Sequence, residues 1–210
     1  LYTYTATVYF HSPKHCLQTI QKCKTHKTYH YMIKKWQVQS IKKTVWPKKW
    51  GTVDEYTFER QDGKLSKWYI TQSVDVVIIF ARTIKGEVIC IKQYRQGIDM
   101  IDIGFPAGGV KKGVTPLQSA KEELEEEAGY KSKKWQHIDK RARSAGGSTA
   151  WQYTYLAEEC YEVGQKLEDD EFIEVELCSV AEVQSNIASK KMKDMGCAFA
   201  GLVALEYITK

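Results

Sequence analysis

The sequence predicts an α+β fold in which a mixed sheet lies between helices, preceded by an N-terminal β-hairpin region and a basic leader. Strand-like apolar runs are followed by helical patterns, and an Asp-Gly turn joins two strand-like segments. Acidic residues are absent from the first 53 positions. Strands followed by helices are typical of α+β proteins or of an α/β/α sandwich.

The composition indicates an ordinary globular protein. The 210 residues are 43% hydrophobic and 27% charged, which excludes wholesale disorder and collagen-like repeats. No run of about 18 apolar residues is present, so we expect no membrane span. The six cysteines are too dispersed for a dense disulfide framework. We therefore expect reduced thiols and a cytoplasmic or nuclear protein.

The leader covers residues 1–47 and has an uneven charge. Residues 1–53 contain ten Lys and no Asp or Glu, so the remainder holds 21 basic and 26 acidic residues, a formal charge of −5. Such a segment could be a targeting extension, with a mitochondrial location as the alternative, or an anion-binding or docking arm. No RNA-binding signature accompanies it, so we do not expect nucleic acid as a partner.

Residues 48–73 are predicted to form the hairpin region and 74–210 the main domain. The hairpin joins strands over 57–60 and 68–71 through Asp62-Gly63. A loop is expected over 104–112 (GFPAGGVKK), because proline and three glycines interrupt any element. Further strands are predicted over 74–80, 87–94, 153–156 and 172–177, and helices over 180–189 and 198–207.

A helix is predicted over 115–128, with Pro116 in its first turn and Gly129 at its end. Five of the six residues 122–127 are glutamates. The spacing places Glu123, Glu126 and Glu127 on one face. A solvated acidic helix is the simplest interpretation. The alternative is a site for Mg²⁺ or Mn²⁺, because oxygen ligands suit these ions and the preceding glycines let backbone approach an anion.

This stretch resembles the Nudix box, G-x5-E-x7-R-E-U-x-E-E-x-G-U, in which U is aliphatic or aromatic. Two positions depart from the pattern: Val114 replaces its first Glu and Glu122 replaces its Arg. In the family these two residues help to orient the ligand carboxylates. The matching positions are Gly108, Glu123, Leu124, Glu126, Glu127, Gly129 and Tyr130.

Other segments resemble the ADP-ribose pyrophosphatase branch, in particular its ADP-sugar pyrophosphatases. Residues 92–95 match KQ(F/Y)R, residues 105–108 match FPAG after a Gly104 that replaces Glu, and residues 170–175 match GEFVEV. Trp50 and Trp68 are 18 positions apart, as are the two tryptophans that sandwich adenine in that branch. The similarity extends from Trp50 to the C-terminus.

The resemblance implies a Nudix α/β/α sandwich, a homodimer and Mg²⁺- or Mn²⁺-dependent cleavage of a nucleoside diphosphate sugar to AMP and sugar phosphate. The implied roles are metal binding by Glu123, Glu126 and Glu127, catalysis by Glu171 and Glu127, and substrate binding by Trp50, Trp68, Arg95 and Gly108. Packing of the tryptophans and a surface ion pair of Arg95 are the structural alternatives.

The departures from the pattern bear on activity. The changes at Val114, Glu122 and Gly104 remove or reverse charges near the expected metal site, which indicates weakened catalysis. The contrasting hypothesis is a catalytically silent Nudix domain that acts as a nucleotide sensor or as a structural subunit of a larger complex.

Overall fold

The computed structural model describes residues 37–44, 51–169 and 171–210. The helices are α1 (Pro116–Ala128), α2 (Val180–Ala188) and α3 (Met195–Ile208). The strands are β1 (Gln37–Thr44), β2 (Thr52–Glu59), β3 (Leu65–Gln72), β4 (Val76–Thr83), β5 (Val88–Arg95), β6 (Met100–Gly104), β7 (Ala107–Gly109), β8 (Tyr130–Lys131), β9 (Lys134–Ala142), β10 (Trp151–Glu162) and β11 (Ile173–Cys178). None of the described helices has the length and apolar character needed to cross a membrane.

Strands β1, β2 and β3 form an antiparallel sheet in that order. The predicted hairpin is β2–β3, and its turn has Gly63 at φ 78°, where the Gly63 amide donates to the Arg60 carbonyl at 3.0 Å. The sequence predicts no strand at β1, which nevertheless pairs with β2. Its sequence is polar and Ile41 is exposed, so no buried alternation reveals it.

The main sheet has the order β11-β5-β4-β10-β8, and β6, β7 and β9 pair with β5, β4 and β10. Strands β4 and β10 are parallel, whereas the other strand pairs in the described part of the chain are antiparallel. The predicted mixed sheet is therefore confirmed.

Alternate residues of β4 face opposite layers, as a strand requires. Val77 and Ile79 pack in one buried cluster with Leu124 of α1. Ile78 and Phe80 pack in a second cluster with residues of α2 and α3. Helix α1 thus covers one face and α2 and α3 cover the other, which confirms the predicted α/β/α sandwich.

The prediction of a continuous loop over 104–112 is wrong at two places, because Gly104 ends β6 and Ala107–Gly109 forms β7. Gly108 pairs with Val77 of β4 in antiparallel register, and the Ile79 amide donates to the Pro106 carbonyl at 2.9 Å. The half of β4 that β5 leaves unpaired offers backbone donors and acceptors, and β7 satisfies them without adding large side chains. Strand β7 is thereby fixed beside helix α1.

Candidate active site

Helix α1 positions the acidic side chains. Its first turn is capped by Thr115, whose hydroxyl accepts from the Gln118 amide at 3.2 Å. Its end is set by Gly129 at φ 72°, whose amide donates to the Glu125 carbonyl at 3.0 Å. Leu124 is fully buried against the sheet. Because the helix is anchored at both ends and along its apolar stripe, the orientation of its glutamates is fixed.

The five glutamates of α1 fall into two groups according to their partners. Three contact lysine ammonium groups, and these ion pairs are partly exposed. The pairs are Glu125 with Lys131 at 2.8 Å and Lys166 at 2.5 Å, and Glu122 and Glu126 with the shared Lys111 at 3.2 Å each. The remaining two, Glu123 and Glu127, form no ion pair with another described residue.

Glu127 and Glu123 face strand β7. Glu127 is 4% exposed, and its Oε2 accepts from the Ala107 amide at 2.7 Å. Glu123 lies against Gly108 so closely that a Cβ on Gly108 would be 2.1 Å from the carboxyl carbon of Glu123. Gly108 is therefore required for the observed position of Glu123, an interaction that the sequence prediction did not include.

The environment of these two carboxyl groups disfavours their charge. Burial, with a further contribution from the charge of Glu126, raises the pKa of Glu123 to about 7. Burial raises the pKa of Glu127 to about 8, although the hydrogen bond from Ala107 acts in the opposite direction. The nearby cations Lys111 and Arg95 lower the pKa of Glu123 and of Glu127 respectively, but by less than burial raises them.

Such a pair fits a hard divalent cation, which would stabilise both ionised carboxylates. Among residues 37–44, 51–169 and 171–210, however, no three acidic, cysteine or histidine side chains converge as a ready metal site. The predicted triad is divided because Glu126 is held by Lys111. The metal-binding roles of Glu123, Glu126 and Glu127 stay predictions.

Glu171 lies near the same carboxylates. Its charge contributes to the raised pKa of both Glu123 and Glu127. Its Oε2 accepts from the Glu168 amide at 3.0 Å, and its own amide donates to the Glu168 carbonyl at 3.0 Å. This turn holds the Glu171 carboxylate within electrostatic reach of helix α1, as its predicted catalytic role requires.

Strand β7 also forms part of the wall of a cavity of about 270 Å³. Arg95, Arg143 and Asp194 line this cavity. Neither guanidinium forms a hydrogen bond or an ion pair with another described residue, so both are available to an anion. Arg95 also lowers the pKa of Glu127 slightly, against the larger effect of burial. The cavity therefore places positive charge beside the acidic helix.

A second cavity of about 320 Å³ shares Arg143 and Asp194 with the first. The guanidinium of Arg141 lies over the ring of Phe199, 5.0 Å from its centroid. Phe199 and Met195 give this cavity an apolar wall. A ligand with an anionic centre could thus occupy the first cavity and extend a less polar group into the second.

Of the two predicted base-stacking residues, the structure describes one, Trp68. Trp50 lies outside the described residues. Trp68 lies on β3, where it pairs in register with Tyr56 and its side chain is partly exposed. The adenine sandwich stays a prediction.

Two residues with roles in this geometry, Lys111 and Arg143, were missed by the sequence analysis. The signal for Lys111 was present: a lysine in the glycine-rich loop precedes a glutamate that replaces the arginine of the Nudix pattern. For Arg143 no spacing rule was available, because it begins a loop (RSAGGSTA) whose path only the fold determines.

Comparison with known proteins identifies the family. A NUDIX domain model matches residues 71–198. The ADP-ribose pyrophosphatase of Bacillus subtilis (strain 168) is 33% identical over 144 residues, which cover 68% of this chain and 78% of that protein. The chain therefore belongs to the Nudix family, and the predicted ADP-ribose pyrophosphatase branch is confirmed.

Two further proteins are similar in sequence, and one solved structure is similar in fold. The methanol dehydrogenase activator of Bacillus methanolicus is 27% identical over 152 residues, 71% of this chain and 80% of that protein. The ADP-sugar pyrophosphatase of Mus musculus is 33% identical over 94 residues, 40% of this chain and 43% of that protein. A crystal structure of an ADP compounds hydrolase superposes with a TM-score of 0.75 at 15% identity, covering 85% of this chain and 96% of that one, which confirms the fold.

Proposed function

We propose that this Nudix hydrolase cleaves the diphosphate of ADP-ribose, or of a related nucleoside diphosphate sugar, to AMP and a sugar phosphate. One observation carries the proposal: a buried carboxylate, Glu127, and a half-buried one, Glu123, lie beside β7, which also lines a cavity with Arg95 and Arg143. None of these four side chains forms an ion pair with another residue in the described part of the chain. The names of the relatives from Bacillus subtilis and Mus musculus support the same substrate class.

Glu123 and Glu127 would hold Mg²⁺ or Mn²⁺, joined by Glu126 when Lys111 releases it. Such an ion neutralises diphosphate charge and lowers the pKa of a bound water. Arg95 and Arg143 would bind the diphosphate oxygens, since guanidinium groups match them in geometry and charge. Trp68 would stack on the base, as the family resemblance implies.

The proposed reaction is hydrolysis at phosphorus. The oxygen of water forms a bond to one phosphorus, the bridging P–O bond breaks, and the departing phosphate keeps its electron pair. Glu171 would accept the proton of the attacking water or orient that water. The amide of Glu168, which donates to the Glu171 carboxylate at 3.0 Å, would orient that carboxylate before substrate binds.

A direct assay tests the proposal. Purified protein with Mg²⁺ and ADP-ribose should release AMP, followed by chromatography. Glu127→Gln should lower kcat by about a hundred-fold or more, whereas Glu125→Gln, which changes a glutamate held outward by lysines, should retain activity. Absence of AMP release from ADP-ribose and from ADP-sugars would contradict the proposal.

A catalytically silent nucleotide sensor is the second candidate. The observation that favours it is the ammonium of Lys111, which lies at 3.2 Å from Glu126, one of the three predicted metal ligands. Calorimetric binding of ADP-ribose without turnover would support this role.

A further inference from the structure

Lys111 is held against the acidic face of α1 by its backbone as well as by its side chain. Its amide donates to the hydroxyl of Ser119 at 3.2 Å, and Ser119 is fully buried. Its ammonium lies 3.2 Å from carboxylate oxygens of both Glu122 and Glu126. A cation from the loop is thus fixed between two carboxylates one turn apart.

The sequence departure at Glu122 has a structural counterpart in this contact. Where the Nudix pattern has a cationic side chain on the helix, this chain has an anionic one, and the cation comes from the preceding loop. The loop and the helix thus still form an ion pair, but the positive charge is on the loop and the negative charge is on the helix. Glu122 therefore binds a counter-ion, and it does not simply add repulsion to the cluster.

We propose that Lys111 is the resident counter-ion of the acidic face and that a divalent metal displaces it from Glu126, while Glu122 retains it. This inference rests on the metal-dependent function proposed above. The supporting observation is that the Lys111 ammonium contacts both Glu126, a predicted metal ligand, and Glu122, which is not one. When the metal takes Glu126, Lys111 loses one contact and keeps the other.

Two consequences follow from electrostatics. Removing the ammonium removes a competitor for Glu126 and also leaves the carboxylates repelling one another, and both effects favour a metal ion. When the Glu122 carboxylate is removed, the Lys111 ammonium keeps only its ion pair with Glu126. A metal ion that binds Glu126 would then leave Lys111 with neither carboxylate, so metal affinity should fall. The two substitutions should therefore shift metal affinity in opposite directions.

The test measures Mn²⁺ binding to substrate-free protein by electron paramagnetic resonance of the free ion. Relative to the parent, Lys111→Met should lower the Kd about three- to tenfold and Glu122→Gln should raise it by a similar factor. Lys112→Met is the matched control for charge, because Lys112 is exposed and forms no ion pair with another described residue. Glu125→Gln is the matched control for loss of a helix carboxylate.

Thermal unfolding in EDTA checks that the variants fold and gives a second readout. Lys111→Met should unfold at a lower temperature than Lys112→Met, and saturating Mn²⁺ should remove most of that difference. Equal or weaker Mn²⁺ binding by Lys111→Met than by Lys112→Met would overturn the inference. Absence of Mn²⁺ binding by the parent would instead contradict the proposed function itself.

Discussion

At Glu127, burial and hydrogen bonding act on the same carboxyl group in opposite directions. Burial raises its pKa to about 8, while the amide of Ala107 stabilises the ionised form. Glu125 on the same helix differs, because hydrogen bonds from Lys131 and Lys166 lower its pKa. Neighbouring glutamates of one helix thus differ in charge state: two lysines favour the ionised form of Glu125, whereas burial favours the neutral form of Glu127.

The raised pKa values predict how stability depends on pH in metal-free protein. Glu123 and Glu127 titrate at about 7 and about 8, above the ordinary value of 4.5, so the folded state keeps protons that the unfolded state has lost. Their stabilising contribution is complete below about pH 4.5 and is lost as the pH rises through 7 and 8. The free energy of unfolding should fall by about 1–3 kcal/mol between about pH 5 and pH 8.5.

Thermal or urea unfolding in EDTA measures this change. The paired substitution Glu123→Gln plus Glu127→Gln replaces both carboxyls by amides that do not titrate, so the decrease should largely vanish. A decrease of the same size in that variant would assign the titration to other groups. The paired substitution should also abolish Mn²⁺ binding.

Gly108→Ala should weaken metal binding while leaving the stability of the fold nearly unchanged. Its Cβ would overlap the Glu123 carboxylate at 2.1 Å, and that carboxylate can swing away because it ends a flexible side chain. We expect a loss of stability of about 1 kcal/mol or less but at least tenfold weaker Mn²⁺ binding. Gly97→Ala is the control, because nothing lies within 4 Å of its Cβ position. Unchanged Mn²⁺ affinity in Gly108→Ala would place the metal away from Glu123.

The sequence predicted which glutamates share a face but not how each is used. The spacing of Glu123, Glu126 and Glu127 follows from helical geometry alone. The direction of the Glu126 side chain depends on Lys111, which approaches from a different segment of the chain. Such contacts between segments depend on tertiary structure, so helical periodicity cannot supply them.

At the scale of elements, the helices, the two hairpin strands and the strands that cross the core were predicted. Strands β1, β6, β7, β8 and β9 were not. Strand β4 reads VVIIFART and is almost entirely apolar where it crosses the core, so its identity is evident. Strand β9 reads KWQHIDKRA and is largely exposed along its length. It owes its conformation to backbone pairing with β10, which leaves little trace in residue type.

The end of helix α1 gives a prediction about its junction with the following chain. Gly129 has φ 72°, and a Cβ there would lie 2.5 Å from the Gln165 amide nitrogen and 2.6 Å from the Gly164 carbonyl carbon. Because backbone atoms cannot easily move aside, Gly129→Ala should destabilise the protein by about 3 kcal/mol or more.

Gly164→Ala provides the comparison. Gly164 also has a positive φ, of 90°, but nothing lies within 4 Å of its Cβ position. The Gly164→Ala variant should lose only about 1 kcal/mol of stability, because only the left-handed conformation of the new alanine is unfavourable. Chemical denaturation of both variants measures the difference, and equal losses would show that the overlap is relieved.

At the scale of the whole molecule, the N-terminal sheet exposes large apolar side chains. Leu65 and Tyr69 of β3 are 63% and 62% exposed. Together with the family resemblance, this exposure supports a homodimer in which a second copy covers the sheet. Light scattering at micromolar concentration should give about twice the monomer mass of 24.2 kDa.

A charge on that strand tests the predicted dimer. Leu65→Lys should shift the protein toward monomer, because a lysine would be buried at the interface. Ile84→Lys is the control, since Ile84 is 74% exposed in a turn of the main domain. A parent with only the monomer mass would contradict the dimer, and the predicted adenine site would then have to lie within one chain.

The parallel pairing of β4 with β10 also determines how the chain must fold. Val76 and Gln152 are register partners, although most of the main domain lies between them in sequence. Pairing of such distant segments is slow because a long loop must close first, whereas α1, inside that loop, can form from local contacts. We expect the desolvation of Glu127 to come late, when β7 and the helix dock on the assembled sheet. We therefore expect the refolding rate to increase when the pH is lowered from about 8 toward 5, since a neutral carboxyl enters the interior at less cost.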